Sequence, residues 1–277
     1  MKTRDLVTRA ANAVCWLAPS AMLCRVMNVE VIVLMYHVVS DEVLPHIVHL
    51  YAYKTPAEFA LDMGYLKANH HILSFQEFEN GYVQPRCGQP AILLTFDDGL
   101  SECYDVVRPI LLRLGIPCTF FVTTSFIDNQ NLFYRHKVSL CIEKMRQIGS
   151  IGRDVCQRLA DISSRCGCQL NSEDEFTLWI KGLRHADEHT TDSICEIMNV
   201  HPSEFLRERQ PYLTTRQLEQ LAAVAYVNVV MDIVGYGRLQ ASPSLQSVSG
   251  GAEEARAHVV VDADRQVEIR RQRLDHF

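Results

Sequence analysis

The chain has 277 residues, 48% hydrophobic and 22% charged, which is enough apolar material for one large globular domain or two smaller ones. A net charge of -6, with Lys and Arg scattered rather than gathered into a basic stripe, argues against nucleic acid as a partner. No run of about eighteen apolar residues occurs, so there is no evident transmembrane segment.

At the N-terminus Lys2, Arg4 and Arg9 precede a fairly apolar stretch, residues 10–24, that imitates a secretory leader. Asn12 and Pro19 interrupt it and no small-x-small cleavage site follows, so it reads as an amphipathic helix docked on the domain. A genuine leader or anchor is the alternative. The ten cysteines (15, 24, 87, 103, 118, 141, 156, 166, 168 and 195) include no CxxC pair, and several lie inside apolar runs. Reduced thiols in a cytoplasmic protein are the simpler expectation, with a secreted or membrane-associated location as the other.

Residues 31–37 (VIVLMYH) predict a strand, and 56–68 a helix with Phe59, Met63 and Leu66 on one face and Thr55 as its cap. A short strand over 72–75 and one helical turn over 76–80 follow. Residues 91–96 predict the next strand, and 101–114 a helix that stops at Gly115 and is kinked by Pro109. Residues 118–123 (CTFFVT) predict a further strand. Strands alternating with helices imply a parallel sheet with right-handed crossovers, the first half of a barrel or of a doubly wound sheet.

From 128 to 210 the periodicity becomes helical, with segments over 137–148, 153–164 and 192–198, and reads as an all-helical insertion. Thr214 or Thr215 is placed to cap a helix over 216–223. Beyond it, 224–234 is strand-like, 241–251 is rich in Ser and Gly, and 258–269 has the pattern of a hairpin turning about 262–265.

The chemistry concentrates in AILLTFDDGL at 91–100. Continuous hydrophobicity suits a parallel strand covered on both faces, and Gly99 supplies the backbone freedom for a sharp exit. The strand therefore delivers Asp97 and Asp98 to the sheet edge where α/β sites form. Two adjacent carboxylates in a partly dry site call for a nearby cation or metal, because an unpaired buried charge costs several kcal/mol. The alternative is that DDG is only a turn. Phosphatase chemistry would want two aspartates separated by one residue, and these are contiguous.

In series, LMYHVV at 34–39, LLTFDDG at 93–99 and GIPCTFFV at 115–122 resemble the polysaccharide deacetylase family, the carbohydrate esterases with a NodB-homology domain. TPAEFALDMGYL at 55–66 and PYLTTRQLEQL at 211–221 resemble a bacterial branch with a helical insertion. The resemblance covers roughly residues 30–221. It implies an α/β fold, an incomplete or distorted (β/α) barrel with an all-helical insertion. The expected organisation is an N-terminal helical segment (1–29), the first half of the barrel (30–127), the insertion (128–210), and a barrel continuation with an atypical tail (211–277).

The implied activity is metal-dependent hydrolysis of N-acetyl groups on a carbohydrate substrate. By the resemblance Asp97 is the general base and Asp98 a ligand of a divalent metal, usually zinc. His37 is expected to line the site, or to serve as a hydrogen-bonded structural histidine. Such a metal needs three protein ligands plus water. The family supplies two histidines as H-[ST]-x-x-H after the helix matching 211–221, but VAYVNVVMDIVGYGRLQ at 224–240 contains no histidine. His185 and His189 have the right spacing but precede that helix and read as solvated surface, as do His70 and His71. Leu274, Asp275 and His276 imitate the family's late L-x-H without a buried strand before them. After Leu221 the chain reads either as a divergent C-terminus or as the product of a shifted frame. The alternative function is a catalytically inactive or truncated deacetylase-like protein that lacks the metal-binding histidines, with glycan binding as its remaining role.

Overall fold

The computed structural model describes residues 29–81, 89–148, 153–166, 172–224, 227–232 and 258–262. The N-terminal segment therefore lies outside the described residues, as does the Ser- and Gly-rich stretch. In chain order come β1 (Val31–Tyr36), α1 (Pro56–Asn69), β2 (Ile72–Leu73), α2 (Phe75–Glu79), β3 (Ala91–Phe96), α3 (Arg108–Leu114) and β4 (Cys118–Thr123). The insertion supplies α4 (Tyr134–Ile148), α5 (Arg153–Arg165), α6 (Glu173–Lys181), α7 (Glu188–Ile197) and α8 (Pro202–Arg209). Then follow α9 (Thr215–Ala222), β5 (Val227–Asp232) and β6 (His258–Asp262).

The strands form one parallel sheet in the order β5-β4-β3-β1-β6, so the chain is a mixed α/β fold with a parallel sheet. β1 runs along the whole of β3, from Val31 opposite Ala91 to Tyr36 opposite Phe96. β2 and β4 share the other edge of β3, β2 beside Ile92 and Leu93, β4 beside Thr95 and Phe96. Among the described residues no pairing joins β5 to β6. Of the hairpin expected over 258–269, His258–Asp262 is a strand that pairs in parallel with β1, and the turn and second arm lie outside the described residues.

β3 explains its own composition. Ile92, Leu94 and Phe96 face one apolar cluster with Phe59, Met63 and Leu66 of α1, Ile110 and Leu111 of α3, and Leu218 and Leu221 of α9. Ala91 and Leu93 face another, with Val31 and Leu73. Burial of each large side chain contributes about 1.5–3 kcal/mol, which is why the strand is apolar without alternation. Tyr36 stacks on Phe96 at 5.3 Å while Phe59 meets both rings edge-on, at 5.3 and 5.7 Å.

Local chemistry sets the helix ends. The Thr55 hydroxyl accepts the Glu58 N–H while the Glu58 carboxylate accepts the Thr55 N–H, and Thr214 with Gln217 repeats the arrangement at α9. Thr214 is thus the cap, and Thr215 instead binds Asp128. The helix expected over 101–114 is two pieces. Cys103–Val107 is a π-helical turn whose Arg108 N–H reaches the Cys103 carbonyl, and the α-helical turns start only at Arg108. Pro109 has no N–H to continue the preceding ladder, so the wider turn takes up the misfit.

The insertion has its own core. Val138, Cys141, Ile142 and Met145 of α4 recur at helical spacing and meet Phe176 and Ile180 of α6 and Ile194 and Cys195 of α7. α6 and α8 were not foreseen from the pattern. Both are short, and α8 buries only Leu206 of its length, so too little periodicity accrues. A third cluster, including Val38, Leu44, Leu100, Leu140, Leu206 and Tyr212, joins the insertion to the sheet.

Arg209, at the end of α8, crosses that junction. Its guanidinium donates to Glu42 at 3.0 Å and to Glu102 at 3.1 Å, and the Glu102 side chain is only 8% exposed. Burial raises the Glu102 pKa, and the Arg209 charge opposes that rise. Arg209→Ala is expected to destabilise the fold by about 2 kcal/mol, because it strands a buried carboxylate. Urea unfolding reads the change, and an unaltered midpoint would discount the contact.

Candidate functional site

β3 ends where β1 ends, so the register that opposes Tyr36 to Phe96 brings His37 and Asp97 to one edge of the sheet. The Asp97 N–H extends the ladder by one bond, donating to the Tyr36 carbonyl at 2.9 Å. Asp98 and Gly99 then adopt left-handed backbone at φ 69 and 72, and the chain leaves the sheet. Asp tolerates that region because its short polar side chain bonds locally. Gly99 is required for a second reason: a Cβ there would lie 2.7 Å from Val122 Cγ1 on β4.

Gly99→Ala is therefore expected to cost roughly 2–4 kcal/mol, left-handed strain plus overpacking. Gly115→Ala, also left-handed at φ 62 but with open space around its Cβ position, should cost only about 1 kcal/mol. Equal losses in denaturant melts would show that the Val122 contact is immaterial.

PYLTT at 211–215 is laid against the DDG turn. The Ser101 N–H donates to the Pro211 carbonyl at 2.8 Å, the Leu213 N–H donates to the Gly99 carbonyl at 2.9 Å, and Leu100 and Tyr212 form an antiparallel bridge. From the far side of β4, Asn129 accepts the Tyr212 N–H at 3.0 Å, and the Asp128 carboxylate accepts the Thr215 N–H at 2.8 Å and its hydroxyl at 2.6 Å. Those Thr215 bonds hold the Asp128 pKa down. Asp128 and Asn129 were missed in the sequence. Their only local signal was the D-N pair, whose residues both sit in left-handed backbone at φ 58 and 57.

Behind the turn is a buried aromatic and imidazole group. The Tyr212 hydroxyl accepts the Phe133 N–H at 3.0 Å and bonds His136 Nδ1 at 2.7 Å. With one hydrogen already received from the amide, the phenol is the donor to Nδ1, so neutral His136 carries its proton on Nε2. Burial, with the Asp98 charge adding, pushes the Tyr212 phenol well up. His46 meets His136 edge-on at 5.2 Å and is fully buried, and neither of its ring nitrogens has a hydrogen-bond partner among the described residues. Desolvation, then the Arg209 charge, lowers its pKa to about 3. Burial, followed by His46 and His37, lowers that of His136 well below the usual histidine range.

His37 is half-buried at the Asp97 edge, its ring 4.9 Å from Tyr51, and its carbonyl accepts a weak bond from Cys103 Sγ at 3.9 Å. The Cys103 thiol is pushed well up by burial, with Glu102, Asp98 and Asp97 among the charges that add. His185 and His189 do not share one helix, since His185 lies in a single turn before α7, and both are exposed. His70 and His71 are corrected from surface loop to partly buried packing: His70 Nδ1 bonds the Pro90 carbonyl at 2.9 Å, and the His71 carbonyl accepts the Ile92 N–H at 2.8 Å. They sit at the start of β3, away from Asp97. His258 is placed the same way, opposite Val31, so it is about 20 Å along the strands from the Asp97 edge.

β5 and β6 end toward that edge with Asp232 opposite Thr123 and Asp262 opposite Met35. Among the described residues no group of three His, Cys, Asp or Glu side chains is arranged to hold a metal ion. The described donors therefore do not fit the three-ligand site that the family resemblance implies.

Residues 85–159 match the sequence family described as Polysaccharide deacetylase. Among solved structures the chain is similar to a de-N-acetylase from Aggregatibacter actinomycetemcomitans at 25% identity and TM-score 0.30, covering 43% of this chain and 51% of that one. It is similar to the deacetylase PplD of Streptococcus pyogenes at 19% identity and TM-score 0.32, covering 55% and 79%. It is similar to IcaB from Ammonifex degensii at 18% identity and TM-score 0.31, covering 61% and 80%. The chain thus spans about half the length of the first of these, 51%. No curated protein matches it. Residues 85–159, which carry TFDDG and the strand after it, are thus similar to the polysaccharide deacetylase family.

Proposed function

We propose that the chain is a hydrolase of the polysaccharide deacetylase type, which removes N-acetyl groups from a carbohydrate with Asp97 as general base. The observation that carries this reading is the delivery of Asp97 and Asp98, in a family-matching segment, to the C-terminal edge of a parallel sheet beside His37. In the proposed reaction Asp97 takes a proton from water as the oxygen attacks the acetyl carbonyl carbon. As the tetrahedral adduct collapses, the departing nitrogen takes up the proton held by Asp97 and the carbon–nitrogen bond breaks, giving acetate and an amine. The bond from the Asp97 N–H to Tyr36 fixes the carboxylate's backbone, and the PYLTT strap holds the turn that follows.

Asp98 is the residue that the family resemblance assigns to a divalent metal, usually zinc. Its two histidine companions have no counterpart among the described residues. That shortage favours a second reading, a deacetylase-like protein that binds glycan without hydrolysing it. Among the described residues no helix is long and apolar enough to cross a membrane.

The two readings part in one experiment. Purified protein is incubated with an N-acetylated oligosaccharide, with and without added zinc, and acetate, free amine and bound sugar are measured. Acetate release supports the hydrolase, and binding without acetate under both conditions supports the second reading. Neither acetate nor binding overturns both.

A further inference from the structure

Within the insertion, Cys141 of α4 and Cys195 of α7 face each other with their sulfurs 3.5 Å apart. Both are buried and both are free thiols. Their surroundings, Val138, Ile142, Ile180 and Ile194, are apolar, so each thiol has the other as its polar neighbour. Among the described residues the other buried cysteines differ: Cys103 bonds the His37 carbonyl and Cys118 the Thr119 carbonyl. Cys156 and Cys166 are exposed.

The two helices are held in register nearby. Lys137, one turn before Cys141, donates to Glu188 at 2.9 Å and to Asp192 at 2.7 Å, and Asp192 lies one turn before Cys195. The Lys137 side chain is 11% exposed, and its two carboxylate partners raise its pKa against the opposing effect of burial. This ion pair anchors the helix pair beside the sulfurs. A disulfide needs sulfurs about 2.05 Å apart, which side-chain rotation from the present contact has to supply.

The geometry points to a disulfide site joining Cys141 to Cys195, formed with a low-molecular-weight disulfide such as oxidised glutathione as oxidant. One thiolate attacks the glutathione disulfide and expels one glutathione. The second attacks the mixed disulfide and expels the other, so two protein thiols and one oxidised glutathione give one protein disulfide and two reduced glutathiones. The bond spans 54 positions of chain, from α4 to α7. The contact with Cys195, and then burial, keep the Cys141 thiol protonated, so exchange proceeds through local opening of the insertion rather than in the closed state.

The test uses the full chain equilibrated with oxidised or reduced glutathione in mild urea, then acid-quenched, alkylated in denaturant and mapped as peptides. The expected result is a Cys141 peptide linked to a Cys195 peptide, lighter by about 2 Da than the sum of the reduced pair and separated by dithiothreitol. The oxidised protein should unfold at a midpoint higher by roughly 5 °C, an increase that Cys195→Ala loses and Cys156→Ser keeps. Recovery of Cys141 and Cys195 as alkylated thiols, as separate glutathione adducts, or linked to Cys156 or Cys166 would overturn the site. The wild-type map decides the matter even if Cys195→Ala folds poorly.

Discussion

Asp97→Asn is expected to lower acetate release from an N-acetylated oligosaccharide by about 10²–10⁴-fold, the range a positioned general base contributes. The substitution keeps size and shape and leaves the main-chain bond from residue 97 to Tyr36 in place. The unfolding midpoint should therefore change little, and oligosaccharide binding should survive. What is removed is the lone pair able to hold a proton taken from water. Full activity in the variant would refute the assignment of the base. Activity and stability lost together would make Asp97 a structural residue.

The second large effect is acid lability seated in the buried histidines. The His46 pKa falls from 6.5 to about 3 in the fold, and that of His136 moves in the same direction. A group with a depressed folded pKa that is neutral when deprotonated takes up its proton preferentially in the unfolded chain once the pH drops below 6.5. The stability is complete above 6.5 and is lost progressively as pH falls toward 3. At about pH 4.5 His46 alone should have cost on the order of 3 kcal/mol.

Glu102 works against this, since its raised pKa relieves a buried charge as pH falls. Glu143, lowered first by its bond to His49, adds to the loss only below the ordinary carboxylate range. The interval from about pH 6.5 to about 4.5 therefore lies above the Glu143 transition and sets the histidines' loss against the smaller opposing gain at Glu102. Urea unfolding across it should show a falling midpoint in the native protein and a flatter profile in His46→Phe, which keeps contact with Phe205 and His136 and does not titrate. Parallel profiles for the two proteins would place the acid sensitivity elsewhere.

Much of the early half of the fold was legible because each signal was local. The Thr55 cap, the Phe59, Met63 and Leu66 stripe, and the apolar run into TFDDG each sit within one element whose period is set by its own backbone. Gly99 was legible as a turn residue, but its contact with Val122 was not, because β4 is more than twenty residues away in sequence. α6 and α8 escaped notice for a different reason: a helix of two or three turns with one or two buried residues gives almost no periodicity. His70 and His71 looked like surface loop because nothing near them in the chain announced that β3 would cover them.

By itself the sequence determined the family segment, the parallel α/β character and the pair of carboxylates at a strand end, since these rest on composition and spacing within short stretches. It also showed that no histidine pair follows the 211–221 helix. The tertiary structure alone decided which residues surround those carboxylates. Tyr212 and His136 are brought behind the DDG turn by hydrogen bonds spanning 76 positions, and the Asp128 and Asn129 clamp spans 87 and 83. Such contacts are selected by the packing of distant elements around a shared core, and a one-dimensional pattern carries no term for them.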